Sequence, residues 1–364
     1  MFDTNDAEWL ARVSSIAGQP RASGAELFAA GVLDPVFAPS ARPMATFCRG
    51  LAAIAAHSVE LAEAVHVQAF CATTIRRHAP ESLWSELGPG LRAGSTLAVS
   101  CLSEANAGSD LGAVALEAVR DGAHYRLDGD KNWVAHAAAA DELIVYARTR
   151  DAGLGGITAF LVPADAPGVG VSAPFPHLDG IAVPVSALTF RDVEVAADRI
   201  LGRRDRGALV TDLLLTQGRL GLAACALGLG TAAFERAVGF ARSHTRFGKP
   251  IIDHQSVGFA LADMATALAA ARELLFHACA VFDRDPVTAT VACAQAKLFA
   301  TDTVARVTGD AVEILGASAY LPDEPVERWL RQAKLLQTLQ GTNRIQRLSI
   351  VAGLANAVPE PEGE

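Results

Sequence analysis

Two runs near the C-terminus decide how the chain is read: Pro325-Val326-Glu327-Arg328-Trp329-Leu330-Arg331-Gln332-Ala333-Lys334, then Leu339-Gln340-Gly341-Thr342-Asn343-Arg344-Ile345-Gln346-Arg347. They fall in the last of four segments beyond Asp205 with apolar residues at helical spacing, near 206–243, 253–282, 287–316 and 328–356. Asp285 followed by Pro286 marks the start of the third, because Asp caps and Pro needs no amide partner in the first turn. Segments of this length and patterning pack as a helix bundle.

Working back toward the N-terminus, the pattern changes twice. Between about Ser95 and Gly202 the chain alternates short β-favouring runs with Gly, Asp and Pro turns. The runs are Thr96 to Cys101, His124 to Leu127, Leu143 to Ala147, Ile157 to Val162, Val169 to Val171 and Ala187 to Phe190. From about residue 8 to 97 the spacing is helical again, as in Leu51, Ile54, Ala55, Val59, Leu61 and Val65. The expectation is an α+β multidomain protein: a helical domain over 1–97, a β-barrel or sandwich over 98–202, and a four-helix bundle over 203–357. The tail 358–364, Pro- and Glu-rich with nothing to bury, is expected to be disordered. No internal repeat is present.

With 364 residues, 51% of them hydrophobic, the chain has enough apolar surface for a large core. A formal net charge of −9 and the absence of a long basic run argue against nucleic-acid binding. Arg203, Arg204 and Arg206 form only a short cluster, read as a solvated loop. The six cysteines have no Cys-x-x-Cys spacing and lie in apolar surroundings, which predicts buried free thiols and no metal site, in a reducing cytoplasm. The acidic N-terminus has no signal pattern. The greasy stretch Leu213 to Phe234 is interrupted by Gln217 and Arg219 and reads as a buried helix, so no membrane association is expected.

Further blocks stand in order along the chain. Leu102-Ser103-Glu104-Ala105-Asn106-Ala107-Gly108-Ser109-Asp110 precedes Gly129-Asp130-Lys131-Asn132-Trp133-Val134, and Phe247-Gly248-Lys249-Pro250 is followed by Gln255. Together with the two C-terminal runs they resemble the acyl-CoA dehydrogenase family over nearly the whole chain. The resemblance implies FAD as cofactor and oxidation of an acyl thioester, in which a base removes the proton alpha to the carbonyl while hydride leaves the beta carbon. It also implies a homodimer or homotetramer and an electron-transfer flavoprotein as one possible acceptor.

Carried onto this sequence, the resemblance puts Leu102, Ser103 and Gly108 at the flavin ring with Trp133, Val134 and Ala135 beside it, and Ser109 and Thr342 at phosphate or ribose groups. Arg246, Phe247 and Gln255 would reach the diphosphate, with Glu313, Gly316, Ala317 and Arg344 completing the cofactor set. The departures are informative. Gln340 occupies the position of the family's glutamate base, and Gly218, just before Arg219, occupies the alternative one. An amide does not accept a proton at useful pH, so a saturated chain loses a factor of about 10²–10⁴ in rate. Ala135 replaces a hydroxyl residue, His244 an arginine whose charge Arg246 would supply, and Glu313 a glutamine. Ala317 and Ala319 replace glycines, and Ala182 an arginine near the acyl carrier. His136 is a surrogate base candidate by proximity to Ala135.

Within the family, the missing base and the change at Ala182 resemble the acyl-ACP dehydrogenases of methoxymalonyl extender-unit biosynthesis. That subgroup implies a glyceryl group on an acyl carrier protein, oxidised at its hydroxyl-bearing end in polyketide antibiotic biosynthesis. A catalytically silent flavin-binding subunit and a flavin monooxygenase on the same fold are the alternatives.

Overall fold

Six helices precede the first strand of the computed structural model, which describes residues 4–37, 42–176 and 183–357. They are α1 (Thr4–Ala17), α2 (Gly24–Ala29), α3 (Asp34–Phe37), α4 (Pro43–Ala55), α5 (Val59–His78) and α6 (Glu81–Ala93). The strands follow: β1 (Ala98–Cys101), β2 (Glu117–Asp121), β3 (His124–Ala135), β4 (Glu142–Arg148), β5 (Ile157–Pro163), β6 (Val169–Val171), β7 (Val185–Ala196) and β8 (Ile200–Leu201). The chain then returns to helix in α7 (Gly207–Ser243), forms a two-residue-stranded hairpin of β9 (Thr245–Arg246) and β10 (Lys249–Pro250), and ends in α8 (Gln255–Arg284), α9 (Thr290–Leu315), α10 (Val326–Leu336) and α11 (Asn343–Ala357). Helical, β, helical order is therefore as expected. Ala182 and the tail 358–364 lie outside the described residues.

Cα packing divides the chain into two compact units that do not follow chain order. One holds residues 22–40 and 63–218, the other residues 1–21, 41–62 and 219–364. In the first, hydrogen bonds join the strands into one mixed eight-stranded sheet in the order β6-β7-β3-β2-β4-β5-β8, with β1 parallel to β4. Leu143 to Ala147 of β4 and Ile157 to Val162 of β5 are all buried, as unbroken apolar runs require when both faces are covered. In the second unit α9 packs against α8, α10 and α11, and α4 against α8. All six cysteines are free and buried.

Two details differ from the sequence reading, and a third, the burial of α7, agrees with it. The fourth C-terminal segment is two helices, α10 and α11, because Gln340 (φ 52°) and Gly341 (φ 80°) are left-handed and break the ladder between them. Asp285 caps a turn, its Oδ1 accepting from the Val287 amide at 3.0 Å, and α9 begins only at Thr290. By length and composition α7 and α8 could each cross a bilayer, but 89% of the α7 window is buried inside the structure, as in a core helix.

The start of α4 has no cap from its own Arg42. Asp283, at the end of α8, supplies one instead, its Oδ1 accepting from the Met44 amide at 3.2 Å. Burial pushes the Asp283 carboxyl up to about 6, against the amides of Met44 and Ala45. A folded-state value above the ordinary one means the native protein binds this proton more tightly. The ionised cap therefore costs stability above about pH 6, and the cost is relieved as pH falls toward the ordinary carboxylate range. The half-buried carboxylate keeps some hydration, so the effect is modest. Asp283→Asn, which keeps the acceptor, is expected to raise the melting temperature by roughly 2 °C at pH 8 and to lose that advantage near pH 4; an equal gain at both pH values would refute this assignment.

Candidate active site

Strand β1 runs directly into the turn 102–110. Glu104 and Ala107 close it by exchanging backbone hydrogen bonds of 2.9 and 3.2 Å. The turn is then pinned to β3: the Asn132 amide donates to Ser103 O at 2.8 Å, and Lys131 Nζ donates to Leu102 O at 3.1 Å and to Glu104 Oε1 at 2.8 Å. The Glu104 carboxylate also accepts from the amides of Ala115 and Leu116, at 2.7 and 3.0 Å. Lys131 is fully buried, and burial pulls its pKa down while Glu104 holds it up. Such a pair is tolerable in the interior because both Glu104 oxygens accept backbone amides and two of the three Lys131 protons find acceptors. Both residues stand inside the blocks that carry the family resemblance, which assigns neither a role. The available signal was the period-2 sequence Tyr125, Leu127, Gly129, Lys131, which puts a lysine at an inward position of a strand.

Beyond Lys131 the pairing of β3 with β7 slips. Trp133 takes φ 60° and its indole turns outward, 68% exposed, with its ring 5.2 Å from that of Phe175. A core role for this tryptophan is thereby excluded, and a bulky residue held at positive φ points to function rather than packing. Val134 is buried and Ala135 half-buried. His136, also left-handed, gives its amide to Pro184 O at 2.7 Å, while its Nε2 is buried without a partner. Gly108 and Ser109 are exposed, and Asp110 caps the following turn, accepting from the Gly112 amide at 3.0 Å.

The other sequence-predicted residues belong to the second unit. Phe247 (φ 49°) and Gly248 (φ 82°) form the two-residue tip between β9 and β10, the backbone such a tight hairpin demands. Phe247 stands 96% exposed there. Arg246 is exposed, whereas His244 stacks on Phe240 with ring centroids 3.6 Å apart and is held by its own helix. Arg246 is thus an outward-facing cation of this segment, as is Lys249. Gln255 opens α8, exposed, and Glu313, Gly316 and Ala317 are exposed at the end of α9.

The turn carrying Gln340 is held by buried side chains of this unit. Gln346 Nε2 donates to Gln340 O at 3.1 Å and to Gly341 O at 2.8 Å. Lys297, buried on α9, gives its ammonium to Gln337 O, Gly341 O and Asn343 Oδ1 at 3.1, 2.9 and 2.8 Å. Those three acceptors match its three protons. Burial and the Arg219 guanidinium push the Lys297 pKa down to about 7, against Asp302. Asp302 Oδ1 in turn accepts from Gln337 Nε2 and Asn343 Nδ2, both at 2.7 Å. Thr342 Oγ1 accepts from the Ile345 amide at 3.4 Å, capping α11, and Arg344 is exposed. Lys297, Asp302, Asn343 and Gln346 were not singled out from sequence, since no local spacing links α9 to a turn so far along the chain.

Two family models match: the acyl-CoA dehydrogenase middle domain over residues 100–193 and its C-terminal domain over residues 205–355. An acyl-CoA dehydrogenase of Bacillus subtilis is 39% identical over 263 residues, covering 72% of this chain and 69% of that protein. A cyclohexane-1-carbonyl-CoA dehydrogenase of Geobacter metallireducens is 33% identical over 320 residues, 88% of this chain and 84% of its own. This chain belongs to the acyl-CoA dehydrogenase family. Its fold matches the solved butyryl-CoA dehydrogenase of Megasphaera elsdenii with a TM-score of 0.93 at 28% identity, covering 98% of this chain and 99% of the other.

The acyl-CoA dehydrogenases are FAD-dependent oxidoreductases, and so is this protein. Its residues fit that cofactor. Trp133 and Phe247 present large apolar rings outward on strained backbone, and at Gly108 and Gly316 even an added Cβ would meet nothing within 4 Å, which leaves the backbone open to close approach. Neither of the two positions that the sequence resemblance assigns to a base carries a carboxylate: residue 340 is Gln and residue 218 is Gly. Among the described residues, the buried carboxylates are Glu63, Glu104 and Glu142. Glu104 is committed to Lys131, and Glu142 to Arg199 at 2.6 Å.

Proposed function

We propose that this acyl-CoA dehydrogenase oxidises a hydroxylated acyl thioester, of the glyceryl type, presented by an acyl carrier protein in polyketide extender-unit biosynthesis. What supports this reading is that the well-held turn at Gln340 and Gly341 carries an amide where the resemblance implies a glutamate base. Bound FAD supplies the chemistry of hydride acceptance. Leu102, Ser103, Trp133, Val134 and Ala135 would hold the ring, Ser109 and Thr342 phosphate or ribose, and Arg246, Phe247 and Gln255 the diphosphate, with Glu313, Gly316, Ala317 and Arg344 completing the set. Gln340 contributes a neutral amide that orients by hydrogen bonding and takes no proton. When the carbon that loses hydride bears a hydroxyl, the proton to be removed sits on oxygen and is far more acidic than a C–H proton. A weak base or water then suffices.

The protein acts as a cytoplasmic homodimer or homotetramer and passes its electrons to an electron-transfer flavoprotein or to oxygen. Anaerobic mixing with glyceryl-ACP is expected to bleach the flavin absorbance within seconds, while butyryl-CoA bleaches it at least about 10²-fold more slowly. Fast bleaching by butyryl-CoA would overturn the reading. The same missing carboxylates favour one competing reading, a silent flavin-binding subunit. That reading predicts no bleaching by any thioester until a partner chain is added.

A further inference from the structure

Of the buried carboxylates, Glu63 faces an imidazole rather than a permanent cation. It lies on α5 one turn before His66, and His66 Nδ1 is 3.0 Å from Glu63 Oε2, with side-chain exposures of 1% for His66 and 2% for Glu63. His66 Nε2 is buried with no partner, and so is His136 Nε2. Glu63 also acts on His136, its charge opposing the burial that lowers the His136 pKa. An orphan Nε2 on the His66 ring, whose other nitrogen faces a buried carboxylate, is costly, because a buried polar atom that loses water and gains no partner keeps the full desolvation penalty. A polar guest removes that cost. His136 directly follows Ala135, the last residue of the strand that carries Trp133, so the Glu63 charge is felt in the part of this unit assigned to the flavin ring.

The Glu63 carboxyl at Nδ1 occupies that nitrogen and fixes the ring, leaving Nε2 for the guest. Nε2 can accept from a hydroxyl when the ring is neutral and donate to its oxygen when the ring is charged. A hydroxyl therefore suits both states, and a methylene suits neither. We infer that His66, oriented by Glu63, receives the hydroxyl of the acyl chain and selects hydroxylated over plain acyl thioesters. This rests on the hydroxylated substrate proposed above and assigns the residues that would read it.

The test is calorimetric titration of the full-length, flavin-loaded protein, reduced beforehand so that no ligand is oxidised. The ligands are 3-hydroxypropionyl-CoA and propionyl-CoA, whose shared carrier cancels in the ratio of dissociation constants. The natural protein is expected to prefer the hydroxylated ligand about tenfold. His66→Phe should bring the ratio to about one, and His66→Gln should keep part of it. Because a single change strands a buried charge, the double variant Glu63→Leu with His66→Leu provides a second route to the same loss. A ratio near one in the natural protein, or a tenfold ratio that survives in these variants, overturns the assignment; the latter is what a pair solvated by trapped water would give. Bleaching of the oxidised enzyme separates the two ideas. If the variants lose the binding preference but the hydroxylated thioester never bleaches the natural protein, the reaction is wrong and the site stands. If it bleaches and the preference ignores His66, the site is wrong and the reaction stands.

Discussion

Gln340→Glu is expected to raise turnover of butyryl-CoA by about 10²–10⁴-fold, the contribution of a well-placed general base. The reason lies in the turn. Gln340 is already held at φ 52° by Gln346 Nε2 on its carbonyl, and Lys297 clamps the next peptide through Gly341 O. Glutamate has the same length and the same conformational cost at that position, so the substitution changes the chemistry of the side chain and not the scaffold. Steady-state turnover with an artificial electron acceptor measures the gain, with Gln340→Ala as the control. No gain over Gln340→Ala would mean that the surrounding pocket has also been rebuilt, and that the loss of the carboxylate is not what restricts the substrate.

Lys131→Met is expected to cost about 3–5 kcal/mol of stability, the penalty for stranding one member of a buried ion pair. It should also release flavin, because Lys131 Nζ ties both Leu102 O and Glu104 Oε1 to β3. Adding Glu104→Gln should recover part of the stability, since the amide oxygen still accepts from the backbone at Ala115 or Leu116 and no charge is left unpaired. Denaturant unfolding and flavin retained on gel filtration give the two readouts. A Lys131→Met protein within about 1 kcal/mol of the natural one that keeps its flavin would show that the pair is not the pin described here.

Much of this architecture was legible before folding, and the failures are specific. β4 and β5 announce themselves as unbroken apolar runs, and α7 to α9 by their spacing. β2 was missed because only Ala118 of Glu117–Asp121 is buried, so no alternation marks it. The break between α10 and α11 was missed because a glycine within a helical pattern is tolerated often enough that Gly341 alone does not signal two left-handed residues in succession. Trp133 could be core or platform from its identity, and its outward turn depends on a slipped strand register.

By itself, the sequence determined the order of helical and β segments, the family to which the chain belongs, and the absence of a carboxylate at positions 340 and 218, because periodicity and residue identity are local properties. Only the tertiary structure decided that Lys297 and Gln346 support the Gln340 turn, that Lys131 and Glu104 pin the turn at Ser103, and that Glu63 and His66 share a buried space with an unpaired nitrogen. Those are facts of desolvation. A polar side chain acquires its partner, or is left without one, only when segments distant in sequence close over it and exclude the water that would otherwise have served.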